Sequence, residues 1–132
     1  MEDKQNILRI IDASLNRCSE GLRVCEEALK FIIGDETAYK EIREIRHCVG
    51  DAVKDVYKEI LSGRNVKSDS GRHIKEDAFK DIENVLIANF KRAQEALRVL
   101  EEYTKTIYPS KSALFKELRF KTYNLEQRII LG

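Results

Sequence analysis

The chain has 132 residues, of which 42% are hydrophobic and 36% are charged, and its formal net charge is +1. This balance argues against a nucleic-acid-binding protein, which would need a clustered basic excess. No apolar run approaches the roughly 18 residues of a membrane span, and the polar N-terminus does not resemble a signal peptide. Three cysteines without metal-binding spacing predict reduced thiols and a cytoplasmic location.

The first half of the chain predicts a helical hairpin. A stripe of apolar residues at spacings of three and four, ending at Ile32, indicates one long helix over residues 3–33. Gly34 suits the position just after that helix, and Asp35 suits the N-cap of the next one. The second helix is predicted over residues 36–62, where apolar residues again share one face.

The second half predicts another hairpin after a loop. Residues 63–76 are polar, flanked by glycine and without periodicity, which is typical of a loop. A third stripe from Phe79 to Ile107 predicts a long helix, which Pro109 ends, and Ser110 is predicted to cap the fourth helix.

These elements predict an all-α fold, because no segment alternates with period two for long enough to form a strand. Four long amphipathic helices with short connections favour an antiparallel bundle. We expect a single domain over residues 1–132, with pseudo-twofold repeats over roughly 3–62 and 77–131.

An internal repeat supports this duplication. Residues 13–27 and 88–102 are identical at 8 of 15 positions, at a constant offset of 92 − 17 = 75. The partner helices allow two alignments, which the sequence leaves open. One sets residues 39–43 against 115–119, and the other sets Ile45-Arg46 against Leu118-Arg119.

The repeat preserves a polar helix face opposite the apolar stripe. In the first copy this face carries Arg17, Glu20, Val24 and Glu27, and in the second it carries Arg92, Glu95, Val99 and Glu102. The retained order suggests that a ligand, the loop or another subunit covers the face. The alternative is a solvated surface with helical ion pairs, such as Arg23 with Glu27 and Arg98 with Glu102.

The main candidate binding groups in the sequence are arginines paired with carboxylates. No Walker P-loop, dinucleotide fingerprint or zinc-protease motif occurs in the sequence. Arginine binds phosphate bidentately, and carboxylates hold magnesium, which bridges phosphate oxygens. The loop adds Arg64, Asp69 and Gly71, and it could close over a phosphate or be a plain polar connection. Cys18 and Cys25 are interpreted as small core residues.

The phrases Asn-Arg-x-x-Glu-Gly-Leu-Arg-Val-x-Glu-Glu at 16–27 and Asn-Phe-Lys-Arg-Ala-Gln-Glu-Ala-Leu-Arg-Val-Leu-Glu-Glu-Tyr at 89–103 resemble a known family. It is the small, second type of hydroxymethylpyrimidine phosphate kinase of thiamine biosynthesis, which occurs alone or fused ahead of thiamine-phosphate synthase. The resemblance covers essentially the whole chain. It implies a phosphotransferase that uses ATP and Mg²⁺ to convert 4-amino-5-hydroxymethyl-2-methylpyrimidine phosphate to its diphosphate.

The resemblance also implies site residues. The catalytic group would be Asp69, Arg64, Arg92 and Glu95. Substrate and phosphate binding would fall to Asn16, Arg17, Arg23, Asn89, Arg98 and Gly71. Magnesium ligands would come from Asp69, Glu20, Glu27 and Glu102. Asn65 departs from the loop motif of the family, which usually has aspartate at that position.

Two other classes of function are compatible with the sequence. A non-catalytic module could bind the pyrimidine phosphate or dock on thiamine-phosphate synthase without transferring phosphate. A purely structural coiled-coil or dimerisation unit would also use long heptad stripes. Homodimerisation is compatible with every one of these hypotheses.

Overall fold

The computed structural model describes residues 2–65 and 81–132, and within these residues it contains helices and turns but no strand. The predicted all-α bundle is therefore confirmed. Four long helices and one short helix follow in chain order, namely α1 (Glu2–Ala28), α2 (Glu36–Ala52), α3 (Tyr57–Leu61), α4 (Ile82–Ile107) and α5 (Ser112–Leu131). None of these helices is both long and apolar enough to cross a membrane.

The end of the first helix is wider than an ideal α-helix. After Ala28 the chain continues as a π-helix over Leu29–Ile33 and stops at Gly34, which has a φ of 76°. The Gly34 N–H donates to the Leu29 carbonyl oxygen at 2.9 Å, so Gly34 ends the helix as predicted. Asp35 is the N-cap of α2, because its side chain accepts a hydrogen bond from the Ala38 N–H at 3.0 Å.

The π-turn moves one predicted core residue to the surface. Ile32 continues the spacing of the apolar stripe but is 62% exposed, and Leu29 is the last buried residue before Gly34. A π-turn has more residues per turn than an α-helix and therefore rotates the following side chains away from the stripe. Placing Ile32 in the core was wrong for this reason.

The predicted single helix over 36–62 is also wrong, because it is interrupted between α2 and α3. Val53 and Val56 leave the helical region with φ values of −115° and −120°, and a 3₁₀ turn lies between them. Val53 is nevertheless 3% exposed, so the break directs its side chain into the core. The Lys111 ammonium donates to the Ala52 carbonyl oxygen at 2.7 Å and so satisfies the C-terminal end of α2.

The second hairpin begins and turns at its own capping groups. Asp81 caps α4 by accepting a hydrogen bond from the Asn84 N–H at 2.8 Å. The predicted start at Phe79 lies outside the described residues. Ser110 does not cap α5, contrary to the prediction, because Pro109 opens a 3₁₀ turn that contains Ser110 and places Lys111 at the N-cap position.

Helices α1 and α4 form the central antiparallel pair of the bundle. The Cys25 thiol contacts the Leu86 carbonyl oxygen at 3.7 Å, and a Cβ on Gly21 would lie 2.9 Å from the carbonyl oxygen of Asn89. As residue numbers fall along α1, the numbers of their contacts on α4 rise, so the two helices run antiparallel. All five helices contribute fully buried large residues to the core, including Leu8, Ile42, Ile60, Phe90 and Phe115. Each contributes roughly 1.5–3 kcal/mol through burial.

Candidate functional site

Two buried carboxylates occupy equivalent positions of the repeat. Glu26 on α1 and Glu101 on α4 are 101 − 26 = 75 positions apart, and they are 5% and 6% exposed. Arg46 of α2 donates from Nε to Glu26 at 3.0 Å, and Arg119 of α5 donates from Nε to Glu101 at 3.1 Å. Arg46 and Arg119 are therefore equivalent, at an offset of 119 − 46 = 73.

This pairing decides between the two alignments that the sequence leaves open. Setting Ile45-Arg46 against Leu118-Arg119 places buried Ile45 opposite buried Leu118. The alternative would place exposed Arg43 opposite buried Arg119. The burial pattern and the ion pairs agree, so the α1–α2 and α4–α5 hairpins are two copies of one unit.

The predicted polar face of the first copy lies on the surface of α1. Arg17 and Glu20 are exposed and Val24 is 40% exposed, so the described part of the chain does not cover this face. Asn16 is exposed beside it. The predicted Arg23–Glu27 ion pair is confirmed at 3.1 Å.

In the second copy, the predicted site residues at the start of the motif, Asn89 and Arg92, are less exposed than Asn16 and Arg17 in the first copy. Asn89 is buried, and its amide donates to the Val85 carbonyl oxygen at 2.8 Å while its Oδ1 accepts a hydrogen bond from Arg92 at 3.4 Å. A Cβ on Gly21 would lie 3.6 Å from the Arg92 Cβ, so the start of the second motif packs against the first. Glu95 is exposed on the same helix.

Two of the carboxylates predicted to bind magnesium, Glu27 and Glu102, contact cations. Glu27 contacts Arg23, whereas Glu102 contacts Lys105 at 3.0 Å and Arg98 at 3.3 Å, which confirms the predicted Arg98–Glu102 pair. Lys105, with Arg98, lowers the pKa of the Glu102 carboxyl. Across residues 2–65 and 81–132, no three Asp, Glu, His or Cys side chains gather as a metal site. These glutamates do not fit a magnesium ligand set by themselves.

Arg64, at the start of the predicted loop, is bound to the first helix. Its Nε and Nη2 donate to the two carboxylate oxygens of Asp12 at 2.7 and 2.6 Å. The Asp12 side chain is 8% exposed and that of Arg64 is 34% exposed. This two-point contact holds the end of the first hairpin against α1. The other predicted loop residues, Asp69 and Gly71, lie outside the described residues.

A cation-rich cavity of about 520 Å³ lies between α1 and α2. Five of its lining residues are basic, namely Arg23, Lys30, Lys40, Arg43 and Arg46. Two are acidic, Glu26 and Glu27, and Tyr39 and His47 complete the lining. Apart from Arg23 and Glu27, none of these residues was among the predicted site residues. The only feature of the sequence that could have indicated this cavity is the spacing of three between Lys40, Arg43 and Arg46.

The equivalent surface of the second hairpin is closed by aromatic rings. The Arg119 guanidinium lies 4.9 Å from the ring centre of Phe120 and 5.7 Å from that of Tyr123, and it donates to the Tyr123 hydroxyl at 3.4 Å. The side chain of Arg119 is 9% exposed, compared with 21% for Arg46. The two repeats thus share a buried ion pair but differ in access to it.

Together these features define a class of protein: an all-α bundle of two duplicated hairpins that presents clustered cations of a kind suited to anionic small molecules. The profile of the ThiD2 family matches residues 9–128. The chain therefore belongs to the ThiD2 family, a family of thiamine biosynthesis, as the resemblance implied.

Curated relatives share the name thiamine-phosphate synthase. Those of Thermosynechococcus vestitus and Nostoc punctiforme are 38% and 35% identical over 97% and 96% of this chain, and that of Rhodopirellula baltica is 32% identical over 92%. The chain covers 36%, 36% and 33% of their respective lengths, so it spans about a third of these relatives. No solved structure was found to match the chain.

Proposed function

We propose that this chain phosphorylates 4-amino-5-hydroxymethyl-2-methylpyrimidine phosphate, with ATP as phosphoryl donor. An oxygen of the pyrimidine's phosphate attacks the γ-phosphorus of ATP and forms a new P–O–P bond. The bond between the γ-phosphorus and the β-bridging oxygen breaks, and ADP leaves with that electron pair. The products are the pyrimidine diphosphate and ADP, and magnesium enters as part of the nucleotide substrate.

The observation that carries this proposal is the membership of the ThiD2 family over residues 9–128, together with the family phrase that occurs on both α1 and α4. The chemistry agrees with the composition of the site. A phosphate monoester with a second pKa of about 6 is already anionic at pH 7, so its oxygen needs no strong general base. The main requirement is to overcome repulsion between two anions, which clustered arginine and lysine side chains do.

Within this proposal the predicted residues take definite roles. Arg17, Arg92 and Arg98 bind phosphate oxygens, and the buried Asn89 orients Arg92 through the hydrogen bond at 3.4 Å. Asp69 and Glu95 remain predictions for the transfer step, and Gly71 for the loop. Arg64 already donates to both carboxylate oxygens of Asp12, so we assign it to holding the hairpin end.

The test is a direct product assay. The purified chain is incubated with the pyrimidine phosphate, ATP and magnesium, and the diphosphate is followed by mass spectrometry with and without a chelator. Arg92→Ala and Asp69→Ala should each lower kcat/KM by more than about tenfold, since removing one charged contact to the transition state costs about 1.5–3 kcal/mol. Lys91→Ala, which removes an exposed neighbouring charge, is the matched control.

A second function is favoured by the length of the relatives. Because the chain spans about a third of proteins named thiamine-phosphate synthase, it could bind the pyrimidine phosphate or dock on such an enzyme without catalysis. Saturable binding of the pyrimidine phosphate without ADP formation would support that function and contradict the kinase proposal.

A further inference from the structure

We propose that the cavity between α1 and α2 binds a chain of phosphate groups, and that the equivalent surface between α4 and α5 does not. We assign these phosphate groups to the triphosphate of ATP, and that assignment rests on the proposed function. The binding of a multiply charged phosphate rests only on the cavity and its side chains.

The charge of the lining favours a polyanion. Five basic residues and two acidic residues give a formal balance of 5 − 2 = +3, with His47 taken as neutral. One of the two carboxylates, Glu26, is 6% exposed in its side chain and is already bound by Arg46. The surface that a ligand would meet is therefore dominated by cations, and phosphate is an anion that both arginine and lysine bind.

Several of these cations have no strong partner that a ligand must displace. The Arg43 side chain makes no hydrogen bond or ion pair with the described residues. Lys30 contacts two aromatic rings, those of Phe31 and Tyr39, with its ammonium 5.1 and 5.5 Å from their centres. Lys40 pairs with Glu36 at 2.8 Å, but both side chains are more than 60% exposed, and such pairs separate easily.

The cations are arranged as a row along one helix. Lys40, Arg43 and Arg46 follow each other at spacings of three, which places them on one face of α2 over about 9 Å of helix axis. Arg23 and Lys30 line the α1 side of the cavity. A row of this length is longer than a single phosphate group and suits an extended phosphate chain. Glu26 is a positioning residue here, because it fixes the Arg46 guanidinium at 3.0 Å.

The second hairpin lacks this site, because its side chains differ at four equivalent positions. At the offset of 73, Lys40 corresponds to Ala113 and Tyr39 to Ser112. His47 and Gly50 correspond to Phe120 and Tyr123, whose rings cover the Arg119 guanidinium. Gly50 has no atom within 4 Å of the place where a Cβ would stand, so the first hairpin stays open at that position. Within residues 2–65 and 81–132, the duplication therefore leaves one accessible site of this kind.

The test measures binding of inorganic tripolyphosphate to the full chain by isothermal titration calorimetry at low salt. The variant Lys30→Gln/Arg43→Gln removes two cations from the cavity. The matched control Lys105→Gln/Lys116→Gln removes the equivalent two from the second hairpin, with the same change in net charge. All four side chains are exposed, and circular dichroism with thermal unfolding shows whether each variant keeps its helices.

We expect the cavity variant to weaken tripolyphosphate binding by roughly tenfold or more, because it removes two charged contacts. The control should change affinity by less than about twofold, as surface charges usually contribute little. Equal losses in both variants, an unchanged cavity variant, or no binding by the unmodified chain would each overturn the proposal.

Titrations with ATP and with the pyrimidine phosphate identify the source of the phosphate. A loss that is confined to ATP supports the nucleotide assignment, whereas a loss confined to the pyrimidine phosphate overturns that assignment. These measurements can reject the binding-site proposal and the proposed function independently. If tripolyphosphate binds at the cavity but no diphosphate product forms, the kinase proposal is wrong. If product forms and the cavity variant still binds tripolyphosphate normally, the proposed binding site is wrong.

Discussion

Gly21 of α1 lies so close to Asn89 of α4 that a Cβ on Gly21 would stand 2.9 Å from the Asn89 carbonyl oxygen. A backbone oxygen cannot turn away as a flexible side chain would. The two helices that carry the repeated motif can approach this closely only because residue 21 has no side chain. The equivalent position in the second copy is Ala96, so the contact is not symmetric.

Gly21→Ala should therefore destabilise the protein, although alanine is the better helix former by about 1 kcal/mol. The helices must separate to admit the methyl group, and we expect the free energy of unfolding in urea to fall by about 1–3 kcal/mol. Gly50→Ala is the matched control, since Gly50 is exposed in α2 and has open space around it. It should raise stability by roughly 0.5–1 kcal/mol. A stabilising Gly21→Ala would contradict the close contact.

The two buried ion pairs should differ in their contribution to stability. Arg119→Met strands Glu101 in the core beside the rings of Phe120 and Tyr123, and we expect a loss of about 3 kcal/mol in the free energy of unfolding. Arg46 is more exposed than Arg119, so water can replace it beside Glu26, and Arg23 remains 3.9 Å from that carboxylate; for Arg46→Met the loss should be nearer to about 1 kcal/mol. Equal losses in urea denaturation would show that the aromatic cover does not distinguish the two pairs.

Asp12→Asn should weaken the attachment of the first hairpin's end to α1. The amide keeps one acceptor for Arg64 but loses the charge and the two-point geometry of the contacts at 2.6 and 2.7 Å. We expect a drop of about 1–3 kcal/mol in unfolding free energy. Asp51→Asn, at an exposed position of α2, serves as the control and should have no measurable effect. An Asp12→Asn protein as stable as the parent would mean that the pair is not structural.

Thiol reactivity should separate the three cysteines. Burial raises the pKa of Cys18 to about 12, and burial together with Glu126 raises that of Cys25 to about 12. At pH 8 the folded protein should therefore react with a thiol reagent first at the half-buried Cys48, with the other two reacting only on unfolding. The Cys18 and Cys25 thiols ionise near pH 8.5 in the unfolded chain but only near pH 12 in the folded protein. The free energy of unfolding should therefore fall as the pH rises across that interval. Rapid modification of all three cysteines in native buffer would refute this.

The helical fold was predictable because the stripe of apolar residues is long and nearly unbroken. Leu8, Cys18, Leu97 and Leu100 are buried as the spacing requires. The π-turn that exposes Ile32 has no glycine or proline within it, and Gly50, three residues before the break at Val53, does not by itself predict a break because single glycines are tolerated inside helical patterns. Local sequence could not reveal them.

The candidate site was only partly predictable. The repeated Arg-Glu phrases identified Arg23 and Glu27, because identity at an offset of 75 is visible in the sequence. The cations of α2 were missed, since Lys40, Arg43 and Arg46 read as an ordinary solvated face until the hairpin places them opposite α1. The equivalence of Arg46 and Arg119 likewise depends on which carboxylate each one contacts.

Transfer of a phosphoryl group to the pyrimidine phosphate is the activity that we propose for this chain. The most direct measurement follows the reaction by ³¹P NMR, with the pyrimidine phosphate, ATP and magnesium present at equal concentrations. We expect the pyrimidine monophosphate signal to be replaced by the two coupled signals of a diphosphate, with one ADP formed per diphosphate. Release of inorganic phosphate without diphosphate, or no consumption of ATP, would contradict the proposed kinase activity.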